Sequence, residues 1–146
     1  MNTPTQYKGD IGVAKVMLEL VIGGFHVFNS ISEHLPFDLI VASPDTWKLS
    51  KLQVKYRHLI RGAVQLAFKN SMHTGKRSYK KFHDLTSFDA YAIYCPESDK
   101  IYYLKTAEIP LGGKHFNLRV TPPTTTQDLT RIHNADDFLD PNRLFS

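Results

Sequence analysis

Pro36-Phe37-Asp38-Leu39-Ile40-Val41 is followed, a short turn later, by Leu49-Ser50-Lys51-Leu52-Gln53-Val54-Lys55-Tyr56-Arg57, and the two stretches carry different hydrophobic periods. Residues 37–42 form a continuous apolar run, the mark of a strand covered on both faces. Asp38 stands at its start, where a carboxylate is poorly placed unless it has a partner. Ser43-Pro44-Asp45 supplies the turn. Residues 49–56 alternate instead. Leu52, Val54 and Tyr56 point one way, and Lys51, Gln53, Lys55 and Arg57 the other. Gln53 and Lys55 therefore project from one face, about 7 Å apart. Paired as a hairpin, the two strands bring Asp38, Gln53 and Lys55 together at one end of a sheet.

Working outward, residues 9–22 read as a helix stopped by Gly23-Gly24, with Asp10 as an N-terminal carboxylate. Ile11, Val13, Ala14, Met17, Leu18, Val21 and Ile22 cover most of its surface, which predicts a well-buried helix. Lys15 and Glu19 are spaced as an i,i+4 pair. Strands are expected at 25–28, 63–68 and 116–120. Residues 91–95 and 101–104 flank Pro96-Glu97-Ser98-Asp99-Lys100 as a hairpin. Residues 70–84 read as a polar, basic loop, 121–126 as a connector, and 135–139 as a short helix stopped before Pro141. The fold class is α/β (an α+β mixed sheet) with the helix packed on one face. Residues 1–146 form a single domain on this reading.

Composition narrows the chemistry. The chain has 146 residues, a net charge of +4 and one cysteine. Cys95 alone makes neither an internal disulfide nor a cysteine-built zinc site. No run of about 18 apolar residues occurs and the N-terminus lacks a signal-peptide layout, so a cytoplasmic protein without membrane partners is expected. No phosphate-binding glycine loop is present. The seven histidines show neither an HxH nor an HExxH spacing. His34 is read as a loop residue, and Trp47 and Tyr56 as core or strand-packing residues. Hard divalent cations prefer oxygen donors such as the Asp38 carboxylate, the Gln53 amide oxygen and the Val54 backbone carbonyl. A metal held there lowers the pKa of a bound water and stabilises charge on a phosphoryl group. Lys55 can orient or deprotonate that water, or stabilise the transition state. The same spacing also suits a strand-face lysine salt-bridged to Asp38.

The order of these motifs adds a resemblance. Lys8-Gly9-Asp10-Ile11-Gly12, an apolar helix, Gly23-Gly24, a short strand, the Asp38 strand and Leu52-Gln53-Val54-Lys55 together resemble the PD-(D/E)XK nuclease superfamily. Within it, the chain looks most like the branch of archaeal Holliday-junction-resolvase-like nucleases and homing endonucleases encoded by cyanobacterial group I introns. The likeness spans about residues 8–57, taken as the catalytic core, and continues more loosely through 88–97 and 100–104. It leaves 58–146 as a β-rich elaboration for DNA binding and oligomerisation. The resemblance implies that Asp38 binds metal, that Lys55 is the catalytic lysine, and that Gln53 fills a place usually held by Asp or Glu. The intron-encoded members are similar in using glutamine there. It implies Mg2+, with Mn2+ as a substitute, and a homotetramer. The family places a glutamate on the first helix where this chain has Val13. Asp10, one turn earlier and about 60° around, is a possible stand-in, whereas Glu19 lies about 120° away.

Lys69, Lys76, Arg77, Lys80 and Lys81 crowd one segment together with Tyr79, which suits phosphate contacts with a few reaches to base edges. A two-stranded ribbon ending in that loop would enter the major groove. Lys8, Arg57 and Arg61 add expected contacts. One hydrolytic centre cuts one strand, so double-stranded DNA calls for at least a homodimer on a long pseudo-palindromic target. The segment 132–139 is expected to pack either between subunits or back onto the core. The leading expectation is site-specific DNA cleavage of the homing type. Its alternatives are a structure-specific, junction-resolving nuclease and a catalytically impaired DNA-binding protein.

Overall fold

The computed structural model describes residues 4–74, 77–122 and 132–146, the stretch 69–82 by its backbone alone. Helix α1 (Thr5–Ile22) begins four residues before the expected start, because Pro4 sits at its N-cap in an extended conformation (φ −56°, ψ 149°) compatible with helix entry. It ends where Gly24 adopts φ 87° and the Phe25 N–H returns to the Leu20 carbonyl at 2.9 Å. Gly12, Val16 and Leu20 form its inner face. Gly12 allows the close approach to the sheet, since a Cβ there would stand 3.4 Å from Val54 Cγ1.

The helix is less buried than its composition predicts. Leu18, Val21 and Ile22 are 57%, 58% and 76% exposed, because a single sheet covers only one side of α1. The expected Lys15–Glu19 pair is also replaced. Lys15 Nζ instead bonds Asp99 at 3.0 Å, and Glu19 accepts the Tyr103 hydroxyl from the sheet below.

The strands are β1 (His26–Asn29), β2 (Leu39–Ala42), β3 (Leu49–Tyr56), β4 (Leu59–Ile60), β5 (Ala63–Ala67), β6 (Lys69–Thr74), β7 (Arg77–Phe82), β8 (Ala90–Cys95), β9 (Lys100–Lys105), β10 (His115–Arg119) and β11 (His133–Asn134). A five-stranded sheet runs β1-β2-β3-β8-β9, antiparallel except where β3 meets β8. A four-stranded sheet runs β11-β10-β5-β4. The predicted alternation in β3 holds. Leu52 and Val54 join Leu39, Val41, Ala92 and Tyr103 in the core beneath α1. On the opposite face Tyr91, Ile93, Tyr102 and Leu104 of β8 and β9 pack on Val64, Leu66, Phe116 and Leu118 of the second sheet. The layers are thus helix, mixed sheet, second sheet. Because β3 contributes nothing to this second core, its outer face stays partly open, and Gln53 and Lys55 are half-buried there.

Three expectations change. The segment 70–84 is not a loop: β6 and β7 pair antiparallel from Lys69↔Phe82 to Thr74↔Arg77, so the basic stretch is itself a two-stranded ribbon. Trp47 is not core. It sits at φ 60° in the turn between β2 and β3, 60% exposed, and stacks on His26 at 4.5 Å. The helix expected at 135–139 is a 3-10 turn, Ala135–Phe138. Its Ala135 and Phe138 enter the chain's own second core, as the core placement of 132–139 expects. Of the connector 121–126, residues 123–126 lie outside the described residues.

The β4–β5 hairpin turns on Arg61 (φ 51°) and Gly62 (φ 77°), two left-handed residues in succession, as a two-residue turn of a twisted ribbon requires. A Cβ on Gly62 would lie 2.0 Å from Thr121 Oγ1, and the Gly62 carbonyl accepts from Val120 and Thr121. Gly62→Ala is therefore expected to destabilise the fold by about 1–2 kcal/mol from the left-handed conformation alone. An unchanged midpoint of urea unfolding would refute this.

Candidate active site

The mixed sheet builds the site where β2 stops and β3 continues. The last β2–β3 rung joins Leu39 to Leu52. Asp38 lies one residue before that rung and Gln53 one residue after it, with Lys55 a further two along β3. The Asp38 N–H bonds the Leu52 carbonyl at 2.8 Å. Asp38 Oδ2 then accepts the Val54 N–H at 2.7 Å, replacing the strand partner that β2 no longer supplies. A strand residue directs its N–H and C=O toward the same edge. The Val54 carbonyl therefore also points to the edge where Asp38 stands, past the end of β2.

Among the described residues, Asp38 Oδ1, the Gln53 amide and the Lys55 ammonium have no hydrogen-bond or ion-pair partner. In particular, no salt bridge joins Asp38 to Lys55. One free carboxylate oxygen, an amide oxygen and a main-chain carbonyl form an all-oxygen set that fits a hard divalent cation completed by waters. With a neutral amide in place of a second carboxylate, the attraction for the cation is weaker. Gln53→Glu is expected to lower the Mg2+ or Mn2+ concentration at half-maximal binding by about tenfold, one added carboxylate strengthening an oxygen site. Mn2+ titration followed by electron paramagnetic resonance reads this, and an unchanged midpoint would remove Gln53 from the set.

Lys55 is electrostatically unusual. Burial pushes its ammonium below the ordinary lysine range, the Arg57 guanidinium pushes it further down, and Asp38 opposes both. Such a shift, on a group near a carboxylate and without a partner of its own, marks a candidate functional residue. Arg57 is held by its N–H on the Tyr94 carbonyl and by Nη1 on the Tyr56 carbonyl, both at 2.9 Å.

Two neighbours were not foreseen. His83 Nδ1 meets the Tyr91 hydroxyl at 2.8 Å, and Tyr91 lies beside Gln53 in the β3–β8 register. Burial, Lys55 and Arg57 all lower the His83 pKa and favour its neutral imidazole. Burial raises the Tyr91 phenol, which stays protonated. The pair depends on β8 lying beside β3 and on the end of the β6–β7 ribbon folding back, and no short-range pattern encodes either.

The remaining residues are scattered around this centre. Val13 is partly buried against the core beneath α1, so it adds no donor. Asp10 is exposed on the helix, with no bond to Asp38, Gln53 or Lys55. His34 is exposed and equally unconnected to them. Lys8 is half-buried near the start of α1, and Arg61 is exposed at the β4–β5 tip. Lys69, Arg77, Tyr79, Lys80 and Lys81 all lie on the β6–β7 ribbon, and Lys76 lies outside the described residues.

A family model described as PD-(D/E)XK endonuclease matches residues 3–141. No curated protein matches the chain. Among solved structures, the bacterial homing endonuclease I-Ssp6803I is similar over 98% of this chain and 93% of its own, at 18% identity and a TM-score of 0.75. Hjc, a Holliday junction resolvase from Archaeoglobus fulgidus, is similar over 77% of this chain and 84% of its own, at 13% identity and a TM-score of 0.50. At these identities both likenesses concern the fold, and the fold is the restriction-endonuclease-like one that the sequence pattern implies. Among the described residues no helix is long and apolar enough to cross a membrane.

Proposed function

Because the chain belongs to the PD-(D/E)XK endonuclease family, we propose that it is a divalent-metal-dependent endonuclease that hydrolyses phosphodiester bonds at a specific site in double-stranded DNA. The observation that carries this reading is the unpartnered, pKa-lowered Lys55 beside an Asp38 whose Oδ2 is pinned to Val54 and whose Oδ1 is free. Asp38, the Gln53 amide oxygen and the Val54 carbonyl would hold Mg2+, or Mn2+ in its place. A cation held there would supply acidification of a water and neutralisation of charge on the phosphoryl oxygens. Asp38 keeps its orientation because the Val54 N–H fixes one of its oxygens. Lys55 takes a proton from the attacking water, a role that its lowered pKa suits. Arg57, beside it, offers a fixed cation to the phosphate. Lys8, Arg61, Lys76 and the ribbon residues Lys69, Arg77, Tyr79, Lys80 and Lys81 follow the backbone of the duplex. Two copies at minimum are needed to cut both strands, on a long pseudo-palindromic target of the homing type. An intron-encoded homotetramer is what the resemblance adds.

A second reading has one specific observation behind it. Val13 leaves the helix without the family's glutamate, which favours a DNA-binding protein with impaired catalysis. A cleavage selection separates the two. The protein is challenged with a randomised duplex library in Mg2+ and in Mn2+, and both bound and cut molecules are sequenced. A defined cut motif, absent with Lys55→Ala, supports the endonuclease. Salt-sensitive enrichment without cutting supports the impaired protein, and cutting confined to four-way junctions would replace both with a junction-resolving nuclease.

A further inference from the structure

The outer side of α1 is apolar along its whole length. Tyr7, Ile11, Ala14, Leu18 and Val21 recur at intervals of four, three, four and three residues, which is the a/d spacing of a helix-pairing seam. All five are exposed: Tyr7, Ile11, Leu18 and Val21 by 62%, 37%, 57% and 58%, with the small Ala14 at the centre. Ile22, 76% exposed, widens the stripe at its C-terminal end. The inner side of the helix is already occupied by the mixed sheet. The α1 residues thus exceed what one sheet can cover, which identifies the outer stripe as an unsatisfied surface.

We infer that this stripe is the contact through which a second copy of the chain packs, α1 against α1 about a two-fold axis. Three observations favour this occupant. A heptad seam is complementary to another helix with the same seam, and among the described residues α1 is the one α-helix. The seam itself carries no charge, and its flanks carry opposite charges, Asp10 on one side and Lys15 on the other. Lys15 is drawn off toward Asp99, and Glu19 toward Tyr103, so neither crosses the stripe. A polyanion is therefore a poor occupant, and an apolar helix a good one. The area is also of the right order. The stripe exposes on the order of 500 Å2 of apolar surface, near the top of what a monomer's largest patch reaches. That is more than half of the roughly 800 Å2 that each partner gives to a standard interface. The inference deepens the two-copy requirement of the proposed endonuclease by assigning it a surface.

Sedimentation equilibrium of the whole chain without DNA tests it. The expected result is a wild-type mass that is a multiple of the monomer's at micromolar concentration. Leu18→Glu and, separately, Ala14→Glu are expected to reduce that mass at least twofold with unchanged far-UV circular dichroism. Leu111→Glu, at another fully exposed apolar residue, is expected to leave it unchanged. A monomeric wild type, or an unchanged mass in both α1 variants, overturns the inference. Unfolding of both α1 variants overturns it as well, because the stripe would then belong to the chain's own core. None of these readings uses cleavage, so failure of the interface and failure of the endonuclease reading are told apart.

Discussion

Lys55→Met is expected to lower DNA cleavage by at least about 10³-fold while raising the thermal midpoint of the fold by a few degrees. Both effects come from the same cause. Burial and Arg57 disfavour the Lys55 ammonium more than Asp38 favours it, so folding pulls its pKa down. The sign follows from proton linkage. Between the lowered folded pKa and the ordinary lysine value, the unfolded chain binds the extra proton, so stability rises with pH in that window. Below the folded pKa the penalty is fully present, and at neutral pH methionine removes it while keeping the apolar stem. For cleavage, the neutral amine is the useful form, and the rate is expected to climb with pH and level off above the lowered pKa. Lys55→Arg, which stays cationic, is expected to lose as much activity as Lys55→Met. Single-turnover cleavage of a plasmid target and differential scanning fluorimetry read the two effects. Cleavage surviving in Lys55→Met would exclude the residue from the chemistry, and a lowered midpoint would show that its charge stabilises the fold.

Asp38 is expected to separate charge from hydrogen bonding. Asp38→Asn keeps an oxygen that accepts the Val54 N–H, now held at 2.7 Å, but loses the negative charge. Asp38→Ala loses both. Cleavage and Mn2+ binding are expected to fall by about 10³-fold and below detection, respectively, in either variant, since a metal-assisted step has lost its one carboxylate. Stability is expected to differ. The alanine variant leaves the Val54 N–H without its acceptor at a half-buried strand end, a cost of about 1–3 kcal/mol, while the asparagine variant stays near wild type. Urea unfolding beside a Mn2+ titration checks the pair. Equal stability in the two variants would mean that water replaces the carboxylate, and the positioning role of Val54 would then be lost.

The sequence made the site legible because it lies on regular structure. Alternation in β3 assigns Gln53 and Lys55 to one face and Leu52 and Val54 to the other, and the apolar run of β2 brings Asp38 alongside. Each is a short-range pattern with one period, and the structure bears out the strands, the alternation and the hairpin. What escaped depends on distant partners. The apolar excess of α1 reads as burial, since composition cannot tell an inner core from an outer stripe. Lys15 and Glu19 are spaced to pair with each other, yet Asp99 and Tyr103 compete successfully from the sheet. The basic stretch 69–82 lacks apolar alternation, so nothing local marks its strands, and the neighbouring end at His83 was hidden with it. Trp47 reads as core or strand-packing, and its left-handed turn carries it out of the core and onto His26.

The two aspartates bordering β3 carry one more consequence. Asp38 Oδ2 caps the Val54 N–H on one edge, and Asp89 Oδ2 caps the Lys51 N–H at 2.8 Å on the other. The strand is thus clamped from both sides within four residues. A slip of one residue would turn Gln53 and Lys55 into the core beneath the helix and leave both clamps without their donors. In evolutionary terms, a one-codon insertion or deletion inside β3 displaces Gln53 and Lys55 together, whereas a point change alters one side chain and leaves the register in place. Descendants of this gene should therefore diverge in β3 by substitution and keep its length.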